Sequence, residues 1–144
     1  VQAQEIRTIE LTMTAEQEII VSNAEGEKTV NRVPVARVVP GNEVIYTIFY
    51  GKKGEEIADK VVITNPVPDH MTYVADTATG NGIRVEFSVD QGKSVGQPED
   101  LKVKDSEGKE KTAEAKDYTH IRWTMLDSIP KGGTGSVAFQ ATVN

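Results

Sequence analysis

Apolar and polar residues alternate along several short runs of this chain, and residues that favour turns separate the runs. In the clearest run, residues 83–90, four apolar residues occupy alternate positions: Ile83, Val85, Phe87 and Val89. A period of two indicates a β-strand with one buried and one solvated face. The chain offers no amphipathic helical pattern long enough to rely on. We therefore predict an all-β antiparallel sandwich with an N-terminal extended arm.

The stretch from residue 39 to residue 68 carries strong turn and strand signals. Pro40 and Gly41 suit the central positions of a type II turn, because glycine tolerates the positive φ that this turn needs. Residues 44–50 then form a β-rich run in which both faces are apolar or aromatic, which predicts a central strand covered on both faces. A second β-branched run follows at residues 60–64, and Pro66 ends it.

These motifs resemble a known family. The segments PGNEVIYTI, ADKVVITNPVP and MTYV, with Trp123, Pro130 and Gly132 in a closing hairpin, are similar to DUF11, an immunoglobulin-like repeat of bacterial and archaeal surface proteins. The resemblance covers roughly half to two-thirds of the chain. It implies that the all-β antiparallel sandwich is immunoglobulin-like and that the protein is exported and located at the surface. Lys52 stands where the family commonly has Asn, and Asn65 stands where it commonly has Asp.

The 144 residues suffice for one domain with a substantial core. We divide the chain into residues 1–22, an arm carrying the first strands, and residues 23–144, the DUF11-like sandwich. Trp123 is the strongest marker of the core, because burying its ring removes a large apolar area from water. The full set of predicted core markers is Val44, Tyr46, Ile48, Tyr73, Phe87, Ile121, Trp123 and Phe139.

The arm carries candidate contacts with a neighbouring subunit. Apolar residues alternate in two short runs, the second of which reads EIIVS. The predicted contact residues are Ile6, Ile9, Leu11, Met13, Ile19 and Val21. An extended segment can add itself as a strand to the sheet of another subunit, or it can be the first strand of its own domain. Both interpretations stay open here. A third run at residues 29–39 contains Pro34, which predicts an edge or bulged strand.

Composition narrows the possible partners. The 16 basic and 22 acidic residues give a net charge of −6, so a nucleic-acid partner is not expected. Cysteine is absent, which excludes disulfides and thiolate metal sites. No apolar run approaches the ~20 residues of a membrane-spanning helix. The chain begins with VQAQ rather than with Met, which fits an exported protein whose leader has been removed, located outside the cell or on its surface.

The chain offers few candidate residues for catalysis or for binding a metal or cofactor. The two histidines, His70 and His120, are interpreted as a solvated turn residue and a strand residue. Carboxylate pairs such as Glu55 and Glu56 lack the spacing of a calcium-binding loop, and Gly80 and Gly82 lack the helix of a phosphate site. Lys52 and Asn65 have the residue types of a Lys–Asn isopeptide bond, but Lys52 is predicted to lie in a turn. We predict no catalytic residue, no cofactor and no metal.

The sequence therefore favours a non-enzymatic exported structural protein. Its predicted role is a subunit of an extracellular, pilus-like filament or cell-surface assembly, a homopolymer built by strand addition between subunits. The alternative is a soluble secreted or periplasmic binding or adhesion module that recognises a glycan or a surface protein through its loops.

Overall fold

The computed structural model describes residues 2–3 and 9–144, in which nearly all of the regular secondary structure is β-strand. The twelve strands are β1 (Gln2–Ala3), β2 (Ile9–Ser22), β3 (Lys28–Pro34), β4 (Glu43–Lys52), β5 (Val62–Pro66), β6 (Met71–Tyr73), β7 (Thr79–Gly80), β8 (Ile83–Ser88), β9 (Lys102–Lys104), β10 (Glu110–Thr112), β11 (His120–Met125) and β12 (Thr134–Val143). Two single-turn 3₁₀ helices, Pro98–Asp100 and Ala115–Asp117, lie on either side of the β9–β10 hairpin.

Two antiparallel sheets form the sandwich. The larger sheet has the strand order β3-β2-β4-β12-β6, and β7 also pairs with β12. The smaller sheet has the order β1-β5-β11-β8. The prediction of an all-β antiparallel sandwich is confirmed. The β9–β10 hairpin forms a separate two-stranded sheet, and Leu101 and Ala113 at its base are buried in the main core.

The core lies between the sheets, where the apolar faces of the strands meet. Trp123 from β11 and Phe139 from β12 are fully buried, with ring centroids 5.9 Å apart. Seven of the eight predicted core markers are buried, and the eighth, Tyr46, is half-buried and stacks on Phe139 at 5.0 Å. The Tyr46 hydroxyl donates a hydrogen bond to Sδ of Met71 at 3.0 Å. In the strands that carry these markers, the alternation of apolar and polar residues therefore identifies the face that packs in the core.

The central stretch has the predicted turn and the predicted central strand. Gly41 has a φ of 92°, and the carbonyl of Val39 accepts a hydrogen bond from the amide of Asn42 at 3.0 Å, as in a type II turn. β4 lies between β2 and β12. The expectation that both of its faces are covered holds for only part of the outer face, where Ile45 is 4% exposed and Phe49 is 47% exposed. Only the inner face of this sheet packs on the second sheet.

Strand boundaries differ from the prediction at three places. The two runs of the arm form one continuous 14-residue strand, β2. β5 begins at Val62 rather than at residue 60, because Lys60 adopts a positive φ of 53°, and the strand continues through Pro66. β4 extends to Lys52, so this lysine is a strand residue and is buried, whereas the sequence predicts a turn. β3 ends at Pro34 and lies at the edge of its sheet, as that proline predicts.

Candidate functional site: a projecting hairpin and two free edges of one strand

β2 is longer than either of its partners, and this makes a step in the larger sheet. Residues 9–16 pair with β4, whereas residues 16–22 pair with β3 on the opposite side of β2. Glu16 is level with Ile45, and β4 begins only two residues earlier, at Glu43. The last four residues of β2, at ~3.3 Å each, therefore extend about 13 Å beyond β4. We call residues 16–34 the projecting hairpin.

The projecting hairpin exposes large apolar side chains on both of its faces. Ile19 and Val21 lie on the face that continues the core side of the sheet and are 42% and 40% exposed. Ile20 and Val30, which are directly paired across the hairpin, lie on the outer face and are 70% and 63% exposed. An exposed cluster of this kind on a soluble domain typically marks an interaction surface.

The tip of the hairpin is an ordered turn. The side-chain oxygen of Asn23 accepts hydrogen bonds from the amides of Glu25 and Glu27, at 2.9 and 3.0 Å. Gly26 adopts a φ of 81°, which glycine allows without steric cost. The apolar side chains are therefore presented on a defined scaffold of two paired strands.

The step leaves two stretches of β2 backbone without a partner strand. The carbonyl of Ala15 accepts a hydrogen bond from the amide of Val35 on the β3 side. Because backbone groups alternate in direction along a strand, those of Leu11 and Met13 also point to that side. There they meet no strand among residues 2–3 and 9–144. We call this stretch the lower edge.

The second unpaired stretch lies at the other end of β2 and on its opposite side. By the same alternation, the backbone groups of Ile20 and Ser22 point toward the β4 side. These two residues lie beyond the level of Glu43, the first residue of β4, so they have no β4 residue opposite them. No strand in the described part of the chain occupies this position. We call it the upper edge.

The predicted contact residues divide between these features. Ile9 is buried and Leu11 is half-buried, so both belong to the core of their own domain. Met13 is 43% exposed beside the lower edge, and Ile19 and Val21 lie on the projecting hairpin. Ile6 lies outside the described residues. In this structure the arm pairs with β4 of its own chain, which is the second of the two interpretations.

The sequence analysis missed Ile20 and Val30. Alternation assigns one apolar face to each strand, so it selected Ile19 and Val21 and left Ile20 on the polar face. The signal was present in EIIVS, because three consecutive apolar residues in a strand place apolar groups on both faces.

A second surface feature is an aromatic cleft of about 290 Å³ at one side of the sandwich. Its walls include Tyr73, Phe87 and Tyr118, whose rings stack or tilt against one another at centroid distances of 4.5 to 5.9 Å. Asp76 and Gln97 add polar groups to the lining. Burial raises the pKa of the Tyr118 hydroxyl above its usual value, so the hydroxyl stays protonated and can donate a hydrogen bond.

The histidines lie apart from this cleft lining. His70 is exposed in a turn with a φ of 63°. His120 is half-buried, and its Nδ1 lies 3.0 Å from Oγ1 of Thr119. Residues 9–144 contain no cluster of three or more His, Asp or Glu side chains arranged to hold a metal ion.

Lys52 and Asn65 form their side-chain hydrogen bonds with other residues, not with each other. Both are buried, at 6% and 3% exposure. Nζ of Lys52 donates to the carbonyl of Lys53, and Nδ2 of Asn65 donates to the carbonyl of Pro66 at 2.9 Å. Each side chain is thus satisfied by its own neighbour in the chain.

No protein-family model, curated protein or solved structure matches this chain. The resemblance to DUF11 therefore stays a prediction. None of the helices among the described residues is long and apolar enough to cross a membrane.

Proposed function

We propose that this protein is a non-enzymatic structural subunit of an extracellular filament or cell-surface assembly, in which copies of the chain contact one another through β-strands. The projecting hairpin is the observation that carries this proposal. It places four large exposed apolar side chains and an unpaired strand edge outside the sandwich. Neither feature contributes to the core of its own domain, so both are available to a partner.

The geometry of the hairpin favours an open polymer over a closed dimer. The hairpin lies at one end of the sandwich, and the lower edge lies toward the other end of the same strand. A contact between two different surfaces of identical chains is heterologous, and it repeats into a filament unless the rotation between copies closes a ring.

Polymerisation of the purified chain tests the proposal. We expect sedimentation velocity to show species whose mass grows with protein concentration, and electron microscopy to show elongated particles. Because apolar and backbone contacts hold the subunits, the polymers should persist at 1 M salt, where the Debye length is only about 3 Å. A protein that remains monomeric at high concentration would exclude the filament role.

Export is a separate part of the proposal, supported by the DUF11 resemblance. Immunoblotting of fractionated cells of the native organism should find the protein in the medium or at the surface, where protease added to intact cells digests it. Recovery of all the protein in the cytosol, protected from protease, would contradict export.

The aromatic cleft favours a second candidate function, a binding module for a glycan or a surface protein. Aromatic walls with a few polar groups are typical of small-ligand sites, although 290 Å³ is at the lower limit of their usual size. Titration with an oligosaccharide panel should then shift the NMR signals of Tyr73 and Tyr118. The variant Asp76→Asn removes a carboxylate from the cleft lining without straining the backbone, because Asn tolerates the positive φ of 63° at that position. Unchanged spectra with every sugar would remove glycan binding.

A further inference from the structure

We propose that the aromatic cleft binds an alkylammonium group, which is a short apolar chain that ends in a positively charged ammonium head. A lysine side chain of a partner protein and a small free amine both carry this group. The inference rests on the second candidate function, binding at the cleft, and names the class of ligand. It does not depend on the filament role.

The Tyr118 side chain is buried in the cleft wall, yet its hydroxyl has no hydrogen-bond partner. Tyr118 follows directly after the second 3₁₀ helix and is only 9% exposed. No hydrogen bond of its hydroxyl occurs among residues 2–3 and 9–144. Trp123 Nε1 is the one fully enclosed side-chain polar atom without a partner in that part of the chain. The Tyr118 hydroxyl is therefore open to the cleft and available to a ligand.

Negative charge surrounds this hydroxyl, and no basic side chain neutralises it in the described part of the chain. Burial is the main cause of the raised pKa of the Tyr118 hydroxyl. The charges of three nearby carboxylates raise it further, those of Asp117, Asp76 and Glu99. The ion pairs among the described residues involve none of these three acids. A cation entering the cleft would therefore meet uncompensated negative charge.

The polar side chains of the cleft lining suit a ligand that only donates hydrogen bonds. The Asp76 carboxylate is an acceptor, and the Tyr118 oxygen can also accept. Nε2 of Gln97 donates to the carbonyl of Val85 at 3.0 Å, which leaves Oε1 of Gln97 as a further acceptor. An ammonium group carries donors and no acceptor. An anionic ligand would instead be repelled by the carboxylate.

The rest of the lining is apolar and suits a chain of methylene groups. Small apolar side chains lie there beside the aromatic rings, namely Ala78, Val85, Pro98 and Ala115. A lysine-type chain buries its methylene groups along such a surface and keeps its charged head at a polar rim. The cleft volume of about 290 Å³ is at the lower limit of small-ligand sites, so it fits one such chain better than an oligosaccharide.

Titration with n-pentylammonium tests the class of ligand on the whole chain. We expect saturable shifts of the NMR signals of Tyr118, Asp76 and Ala78, and weaker binding at high salt, which screens the attraction to the carboxylates. The uncharged n-pentanol and the anion pentanoate have the same chain length and should bind about tenfold more weakly or not at all. Equal binding of n-pentanol and n-pentylammonium would show that the charge is not recognised and would overturn the inference.

Two conservative variants test the residues that hold the head. Tyr118→Phe removes the hydroxyl and keeps the ring, and Asp76→Asn removes the charge. Each should weaken n-pentylammonium binding about fivefold. Tyr50→Phe and Glu56→Gln make the corresponding changes outside the cleft lining and should leave the affinity nearly unchanged. All four variants should retain the circular dichroism spectrum of the sandwich. Wild-type affinity in both cleft variants would contradict the proposed site.

Two further probes distinguish the sources of the amine. Nα-acetyl-lysine methylamide presents the group as a protein does, whereas cadaverine presents it as a free diamine. Tighter binding of the lysine derivative would indicate a partner protein, and tighter binding of cadaverine would indicate a free amine. Failure of both to shift the cleft signals would overturn the inference.

The outcomes separate the class of ligand from the candidate function on which it rests. Cleft signals that shift with a sugar of the oligosaccharide panel, and with none of the amines, would refute the alkylammonium ligand and leave the binding module intact. Cleft signals that shift with neither sugars nor amines would refute the alkylammonium ligand and remove glycan binding. The filament role is tested separately by polymerisation.

Discussion

At the scale of single residues, Trp123 lies in the hydrophobic core. It is fully buried between the sheets, and its indole Nε1 is the one buried side-chain nitrogen or oxygen atom in the described chain without a hydrogen-bond partner. Its contribution therefore comes from packing and from removal of apolar area, rather than from a polar contact.

Replacing Trp123 separates these two contributions. We expect Trp123→Ala to lower the free energy of unfolding by about 3 to 5 kcal/mol, because it leaves a large cavity. Trp123→Phe removes no hydrogen bond and leaves a smaller cavity, so it should cost less than Trp123→Ala. Urea unfolding followed by circular dichroism measures both. A loss below about 1 kcal/mol for Trp123→Ala would show that the ring is not packed as described.

Asp90 gives the loop after β8 a pH dependence. Hydrogen bonds from the Ser94 hydroxyl, the Ser88 hydroxyl and the Ser94 amide hold the pKa of Asp90 well below its usual value. Since the folded pKa is lowered, the stabilisation is fully present above the unfolded pKa of about 3.9 and is lost as pH falls below it.

Ser94→Ala tests this assignment. The variant removes the hydroxyl donor, so the pKa of Asp90 should rise toward its ordinary value. NMR titration of the Asp90 carboxyl carbon measures the change, and Ser106→Ala, in a turn elsewhere, serves as the control. Equal midpoints for Asp90 in the wild type and in Ser94→Ala would show that the hydroxyl does not set its pKa.

At the scale of secondary-structure elements, local patterns predict strands well and pairings poorly. The alternation in residues 83–90 and 120–125 depends only on which face of a strand is buried, and the period of two records this directly. The turn at Pro40 and Gly41 is also predictable, because the φ preferences of proline and glycine act within the turn itself.

The step in the larger sheet was beyond such prediction. It arises because β2 pairs with β4 over its first half and with β3 over its second half, and strand pairing is a property of distant segments. The alternation marks Met13 and Ile19 as apolar, but it does not show that they lie at opposite ends of one strand. The step leaves two stretches of β2 without a partner strand among the described residues.

At the scale of the whole molecule, the projecting hairpin is separable from the domain. Apart from Val33, its residues beyond Gln17 are exposed in β2 and β3, and the core consists of residues from β2, β4, β5 and the later strands. The fold and the proposed assembly thus depend on different parts of the chain. The sandwich provides stability, and the hairpin extends beyond it.

Trimming the hairpin tests this division. Gln17 and Val33 are directly paired, so an Asn-Gly turn in place of residues 18–32 closes the two strands with a favoured two-residue loop. Because the removed residues are almost all exposed, we expect a folded monomer whose midpoint of thermal unfolding changes little. Deleting residues 1–13 instead removes five of the eight β2 residues that pair with β4, and this variant should lose much of its stability. Sedimentation and thermal unfolding measure both variants. A trimmed chain that still polymerises would place the subunit contact elsewhere, and a trimmed chain that unfolds would show that the hairpin belongs to the domain.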